Sequence, residues 1–285
     1  MGKRTITGIL LALVLVPAFW FGGLFLNVVL MLLTLWASYE LFKMFNTKAE
    51  LGKGVLITEL ILSGVTYFTI QRYYEDDTGF IPLVNGMDGS LEWVFLMFVF
   101  LIVVGATLLV LIPKFEADNF GELLVIVLYP ALGFGAIFGL SSLGINNIAF
   151  LFIITTFTDI FAYIVGVRFG KHRLAEHISP KKSIEGSVGG TTAAIILALA
   201  FIYIGKVDMI GEIPLSIFVS ILLILFISAI GQIGDLVASK LKRSYNIKDF
   251  SQIFPGHGGV LDRFDSVLFA GMVLMLLSKF IGILL

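Results

Sequence analysis

The sequence predicts an all-α, polytopic integral membrane protein of about nine transmembrane helices, and three observations carry that prediction. Hydrophobic residues make up 58% of the 285 and charged residues only 14%, whereas a soluble domain carries roughly 25% charged residues. Apolar runs of about 20 residues recur, and at 1.5 Å of rise per residue each crosses a hydrocarbon layer of ~30 Å as a helix. Sixteen of the 19 lysines and arginines fall in alternate connections, the bias that orients a multi-spanning chain. A mean hydropathy of +1.03 excludes a single soluble core. The absence of cysteine excludes disulfides and thiolate metal sites.

The spans fall at roughly 5–21, 24–42, 55–71, 92–112, 122–140, 147–167, 191–205, 214–237 and 266–285. Lys3 and Arg4 precede the first run, and no small-residue cleavage pattern follows before the second begins at Leu24, so the first reads as a retained span. Gly22-Gly23 permits only a tight connection, which predicts an antiparallel hairpin of spans one and two. The lysines and arginines place the N-terminus in the cytoplasm and the C-terminus outside. Only Arg72, Lys206 and Lys279 fall outside or near an outer end, and Glu75, Asp76 and Asp77 accompany Arg72.

Three stretches follow: N-terminal spans over 1–90, middle spans with a lysine-rich cytoplasmic connection over 91–190, and C-terminal spans over 191–285. No internal repeat stands out, and the 27 phenylalanines suit lipid-facing surface better than an aromatic binding box. Two inner connections differ from the rest: 168–190, RFGKHRLAEHISPKKSIEGSVGG, and the polar island at 238–265. Both face the cytoplasm on this topology and can meet at one membrane surface.

Asp159 lies inside the sixth apolar run. An acid there costs about 2.5 to 3.5 kcal/mol on insertion scales, so it is expected to face protein, water or a cation. Helical spacing puts Thr155, Asp159, Ala162 and Gly166 on one small, polar face; a packing hydrogen bond is the plain alternative. Asp235 ends the eighth span. Gln232, Asp235, Ser239 and Lys242 form a stripe descending to the cytoplasmic surface, against the alternative of a frayed polar helix end.

Pro255-Gly256-His257-Gly258-Gly259 is expected to form a compact turn, whose backbone N–H groups would allow close approach of a phosphate, or which would simply be an interfacial loop. Asp262-Arg263-Phe264-Asp265 then sets two carboxylates one helical turn apart around an arginine, where capping accounts for one acid more readily than for two. Ser179-Pro180-Lys181-Lys182-Ser183, with Glu185-Gly186 and Gly189-Gly190, sets two lysines beside an expected turn. A positive-inside connection explains the pair by itself. Beside Asp235 and Asp262 it would instead be the cationic half of a nucleoside triphosphate site, carboxylates holding a divalent metal.

Ser239-Lys240-Leu241-Lys242-Arg243, then Lys248-Asp249, then His257-Gly258-Gly259-Val260-Leu261-Asp262-Arg263-Phe264-Asp265 closely resembles the signature of the phosphatidate cytidylyltransferases, or CDP-diacylglycerol synthases. A second stretch, Asp159 to Tyr163 through Gly170-Lys171 to Ser179–Ser183 and Glu185-Gly186, is similar to the same family. Together they cover about the last 45% of the chain; the first 150 residues resemble the family only in being apolar spans. One departure is Ser183-Ile184, where many members carry threonine and an aromatic residue.

The resemblance implies the reaction CTP plus phosphatidic acid giving CDP-diacylglycerol and pyrophosphate, dependent on Mg²⁺ and with a second cation left open. On that basis Asp235, Asp262 and Lys182 are the expected catalytic residues. Asp235 and Asp262 would hold metal, with Asp159 and Asp265 as further ligands or neighbours. Ser179, Lys181, Lys182, Lys242, Arg243, Lys248, His257, Gly258, Gly259 and Arg263 would hold substrate phosphates, with no division between CTP and lipid legible. The expected partners are CTP, phosphatidic acid and the lipid bilayer, with no nucleic acid and a homodimer left open. The expected location is the inner, cytoplasmic membrane, with the site on its cytoplasmic side. Two rivals stand beside this reading: a CTP-dependent lipid kinase acting on a polyprenol-type alcohol, and a transporter using intramembrane acids as an ion path.

Overall fold

A computed structural model describes residues 13–75, 89–254, 256 and 258–284. The all-α prediction holds. Residues 13–21 are helical, and eight longer helices follow: α1 (Gly23–Ala49), α2 (Lys53–Glu75), α3 (Gly89–Leu111), α4 (Ala117–Ser142), α5 (Ile145–Phe169), α6 (Ile184–Gly205), α7 (Ile217–Ser244) and α8 (Leu261–Leu284). By length and composition each of the eight can cross a membrane. The sequence did not predict two small antiparallel ribbons, β1 (Arg173–Ala175) with β2 (Ser179–Ser183) and β3 (Met209–Ile210) with β4 (Ile213–Pro214).

The helices outrun their apolar cores. The eighth apolar span was expected to stop near 237, yet α7 continues to Ser244, so Ser239 and Lys242 are helical, as the predicted stripe requires, and Arg243 with them. The seventh was expected from 191, but α6 begins at Ile184, capped by the Ser183 hydroxyl accepting from the Gly186 N–H. Gly186, Gly189 and Gly190 therefore lie inside a helix and not in the expected turn. The ninth begins at Leu261 instead of 266. Hydropathy marks the stretch that must avoid water. Hydrogen bonding carries a helix further, through polar turns that water or protein can satisfy.

Contacts divide the chain into two units, Met1–Ser142 with Asp249–Asp262, and Leu143–Lys248 with Arg263–Leu285. In the first, α4 is the most buried helix and packs against α1 and α2. At Gly22-Gly23, where a tight connection is expected, both glycines take positive φ, 60° and 51°, between the helical residues 13–21 and α1; the start of the first predicted span lies outside the described residues.

In the second unit, α5 and α6 form the most extensive helix pair, and glycine is the reason. A Cβ on Gly190 would stand 2.4 Å from the Thr158 carbonyl oxygen, and one on Gly186 would stand 2.6 Å from that of Ala162. Close backbone approach through small residues is how helices associate where lipid removes the hydrophobic drive. The same device joins α7 to α8. A Cβ on Gly234 would lie 2.7 Å from the Asp265 carbonyl oxygen, so the helix carrying Asp235 is set close against the helix carrying Asp265.

Candidate active site

Within the second unit, these glycine seams bring together side chains far apart in sequence. Lys182 projects from β2 and forms an ion pair with Asp235 Oδ2 on α7, each side chain about a quarter exposed. The other carboxylate oxygen of Asp235 accepts from the Ser239 hydroxyl, 3.3 Å away and one turn on, which realises part of the predicted stripe. Asp159 on α5 accepts at 3.3 Å from the Ser266 hydroxyl of α8, whose backbone N–H reaches Asp265 Oδ1 at 2.8 Å. Asp159, Asp235 and Asp265 lie within electrostatic reach of one another, with Lys182, Arg263 and Lys242 as the nearby cations. Three acids and three bases thus gather where α5, α7, α8 and the β1–β2 ribbon converge.

A chain of hydroxyls runs from this cluster between the helices. Thr158 and Thr191 each bond the Ser228 hydroxyl at 2.9 Å, and the Gln232 amide donates to Thr191 at 3.1 Å. Gln232, expected on a polar stripe with Asp235, thus spends its amide on a bond between helices. Thr155, expected on the face of Asp159, instead turns its hydroxyl back to the Leu151 carbonyl at 3.0 Å. Ala162 and Gly166, also on that face, meet α6. Asp159 itself is exposed as a residue, while its carboxylate is held through Ser266.

Other expected residues stand outside this cluster. Lys181, Lys248 and Arg243 are exposed, Ser179 is half-buried in β2, and Arg243 donates to the Ile247 carbonyl at 3.3 Å; Arg263, within reach of Asp159, is also exposed. Glu185, which the sequence reading noted only as part of the cluster, accepts from the Lys171 and His172 N–H groups and from His172 Nδ1, tying the start of the ribbon to the start of α6.

In the first unit, the segment before α8 folds as the compact turn expected of its glycines. The Phe254 N–H donates to the Gly258 carbonyl at 3.0 Å, and Gly256 and Gly258 take positive φ of 82° and 84°. His257 lies outside the described residues. Asp262 Oδ2 accepts from the N–H groups of Phe250 (2.8 Å) and Gly259 (2.9 Å), so this carboxylate organises the turn as well as opening α8. The Val260 and Leu261 N–H groups go to Glu40, a residue of α1 that sequence reasoning missed. These amides are therefore engaged by carboxylates, and a phosphate could use only others of the turn. A lone buried acid inside an apolar run was the available signal for Glu40, the same signal that exposed Asp159.

The donor set suits a hard divalent cation. Mg²⁺ takes oxygen ligands and binds through one or two carboxylates, completing its shell with water and substrate phosphate. Asp159, Asp235 and Asp265 offer such oxygens, although among the described residues no three acids or histidines are gathered closely enough to enclose an ion unaided.

Comparison with known proteins agrees with this chemistry. A family profile described as "Cytidylyltransferase family" matches residues 2–281. The chain is 33% identical over 272 residues to the phosphatidate cytidylyltransferase of Bacillus subtilis strain 168, covering 94% of each chain. It is 35% identical over 269 residues to that of Staphylococcus epidermidis, and 33% over 270 residues to that of Staphylococcus aureus strain COL, covering 94% of this chain and 95% of the relative in both cases. With matches of this extent, the resemblance seen in two polar stretches extends across the apolar first half as well, and the chain belongs to the cytidylyltransferase family.

Proposed function

We propose that this membrane enzyme is a phosphatidate cytidylyltransferase: it joins CTP and phosphatidic acid to give CDP-diacylglycerol and pyrophosphate. The observation that carries the reading is the gathering of Asp159, Asp235 and Asp265 with Lys182, Lys242 and Arg263 inside a multi-spanning protein of the cytidylyltransferase family. An oxygen of the lipid phosphate attacks the α-phosphorus of CTP, a new P–O–P link forms, and the bond to the β-phosphate oxygen breaks to release pyrophosphate. No protein nucleophile is needed, because the attacking oxygen is already anionic. The protein's work is alignment and charge neutralisation.

Lys182 and Lys242, turned toward the acids, hold the triphosphate. Arg263 and the outward Lys181, Arg243 and Lys248, with Ser179, would meet the lipid phosphate and the entering nucleotide, and the Gly258-Gly259 turn would contribute backbone N–H groups to a phosphate. Asp235 and Asp262 would hold Mg²⁺, with Asp159 and Asp265 as further ligands or neighbours, and the cation would supply charge neutralisation of the triphosphate. The excess of lysine and arginine in the connections supports a cytoplasmic N-terminus and a site on the cytoplasmic face of the inner membrane.

The deciding experiment incubates purified protein with CTP, Mg²⁺ and phosphatidic acid in mixed micelles and identifies the released product. Pyrophosphate with CDP-diacylglycerol is expected. Release of CDP with phosphate transfer to an alcohol would instead identify a lipid kinase.

A further inference from the structure

We infer that Glu40 is a positioning residue for the reaction, reaching from α1 to fix the turn that carries Asp262; this rests on the function proposed above. Glu40 is fully buried, 0% exposed, and is the one charged residue of the span predicted at 24–42. Its Oε1 accepts from the Ser251 hydroxyl at 2.5 Å and from the Val260 N–H at 2.9 Å, while Oε2 accepts from the Leu261 N–H at 3.0 Å. All three donors belong to the segment that ends at Asp262, more than 200 residues away in sequence. A carboxylate is not needed to pack helices, and burying one is costly unless its lone pairs are used. Here every bond that it accepts comes from this single segment.

The arrangement constrains what stands on either side. Helix α8 begins at Leu261, so its first N–H groups lack intrahelical partners. Glu40 accepts from the first of them, that of Leu261, and from Val260 just before the helix, as a capping side chain would, and places a carboxylate at the positive end of the helix. Asp262 is the next residue and ties the same turn from within, through Phe250 and Gly259. Gly259 has no room for anything larger, since its Cβ would lie 2.3 Å from Glu40 Oε1. Glu40 therefore sets where the turn closes, and the turn sets where the Asp262 carboxylate points.

Glu40→Gln is the direct test, because it keeps size but replaces one acceptor oxygen by an NH₂ that cannot accept from a backbone N–H. Removing one charge-assisted bond of this kind is expected to lower kcat by roughly 10- to 100-fold. KM for CTP should change little, and the Mg²⁺ concentration giving half-maximal rate should rise. Hydrogen exchange at 249–261 should quicken, while the segments of α5 and α6 stay protected. Ser251→Ala, which removes one donor without disturbing a helix, should show the same pattern more weakly.

Wild-type kcat and Mg²⁺ dependence in folded Glu40→Gln would overturn the inference. So would a loss of activity explained entirely by a lower folded fraction, with the Mg²⁺ response and local exchange of Ser251→Ala unchanged. If the wild-type protein releases no pyrophosphate, the proposed function fails, but the exchange arm still decides whether Glu40 holds the turn.

Discussion

Replacing Gly190 by alanine adds one methyl group at the tightest point of the α5–α6 seam. The added Cβ would stand 2.4 Å from the Thr158 carbonyl oxygen and 3.0 Å from both the Ala162 Cβ and backbone N. The first obstacle is backbone, which cannot rotate away. Since ordinary contact begins at 3.4 Å, α6 must retreat by about 1 Å, the difference between 3.4 and 2.4. Overpacking of this kind costs about 1 to 3 kcal/mol, while alanine regains up to about 1 kcal/mol of helix propensity. The net loss of stability should therefore be modest.

Catalysis should suffer more. Thr158 precedes Asp159, and Thr191 follows Gly190 and bonds Ser228 at 2.9 Å, so the displacement acts at the acid cluster itself. A misplacement of 1 Å can cost about 100-fold in rate. The assay is pyrophosphate release at saturating CTP, alongside thermal unfolding in the same detergent. Gly190→Ala is expected to fall at least roughly tenfold in kcat with a Tm lowered by a few degrees. Gly205→Ala on the same helix, where the new Cβ meets Val207 at an ordinary 3.4 Å, should match wild type. If Gly190→Ala keeps wild-type kcat and Tm, the reasoning from the seam to the site is refuted.

Three further predictions concern the site. Lys182→Met, which leaves Asp235 without its cation, should lower kcat/KM for CTP by roughly 100-fold or more, with Lys182→Arg recovering part of it; undiminished kcat/KM in a folded Lys182→Met protein would remove Lys182 from the nucleotide site. Asp262→Asn can still turn its amide oxygen to the Phe250 and Gly259 N–H groups, so the fold should survive while turnover drops; near wild-type turnover at saturating Mg²⁺ would take Asp262 out of the metal assignment. Finally, Lys181→Cys, on the exposed side of β2, should react with an impermeant maleimide only from the cytoplasmic side of inverted vesicles. Labelling from the opposite side alone would reverse the topology.

The number and placement of the helices were legible because membrane solvation imposes them: a run of apolar residues has no other way to satisfy its backbone in lipid. The polar residues of the second unit were legible for the complementary reason, since Asp159, Gln232 and Asp235 interrupt runs in which apolar residues would be cheaper. What the sequence concealed was the role of residues that act through shape. Gly186 and Gly190 look like turn formers beside Ser183, and only the passage of α5 shows that they belong to a helix pressed against another. Glu40 was half hidden: the acid stands out in its run, but its role does not. Its partners lie at Ser251, Val260 and Leu261, and no periodicity within α1 could point to them.

The two adjacent basic pairs show what the fold adds to a count of charges. Lys181-Lys182 lies on a strand and Lys242-Arg243 on a helix, and in each pair one member turns in while the other faces out. Lys182 reaches Asp235 and Lys181 is exposed; Lys242 is 9% exposed and lies near Asp265, while Arg243 points outward. A topology rule treats all four alike. In the cluster, counted by formal charge, the inward pair and Arg263 match Asp159, Asp235 and Asp265 one for one. A balanced cluster of this kind offers a triphosphate little net attraction. On the proposed function the carboxylates would favour nucleotide binding only by first holding a cation, so CTP affinity, read by equilibrium binding, should fall steeply as Mg²⁺ is withdrawn; CTP affinity unchanged by chelation would refute this.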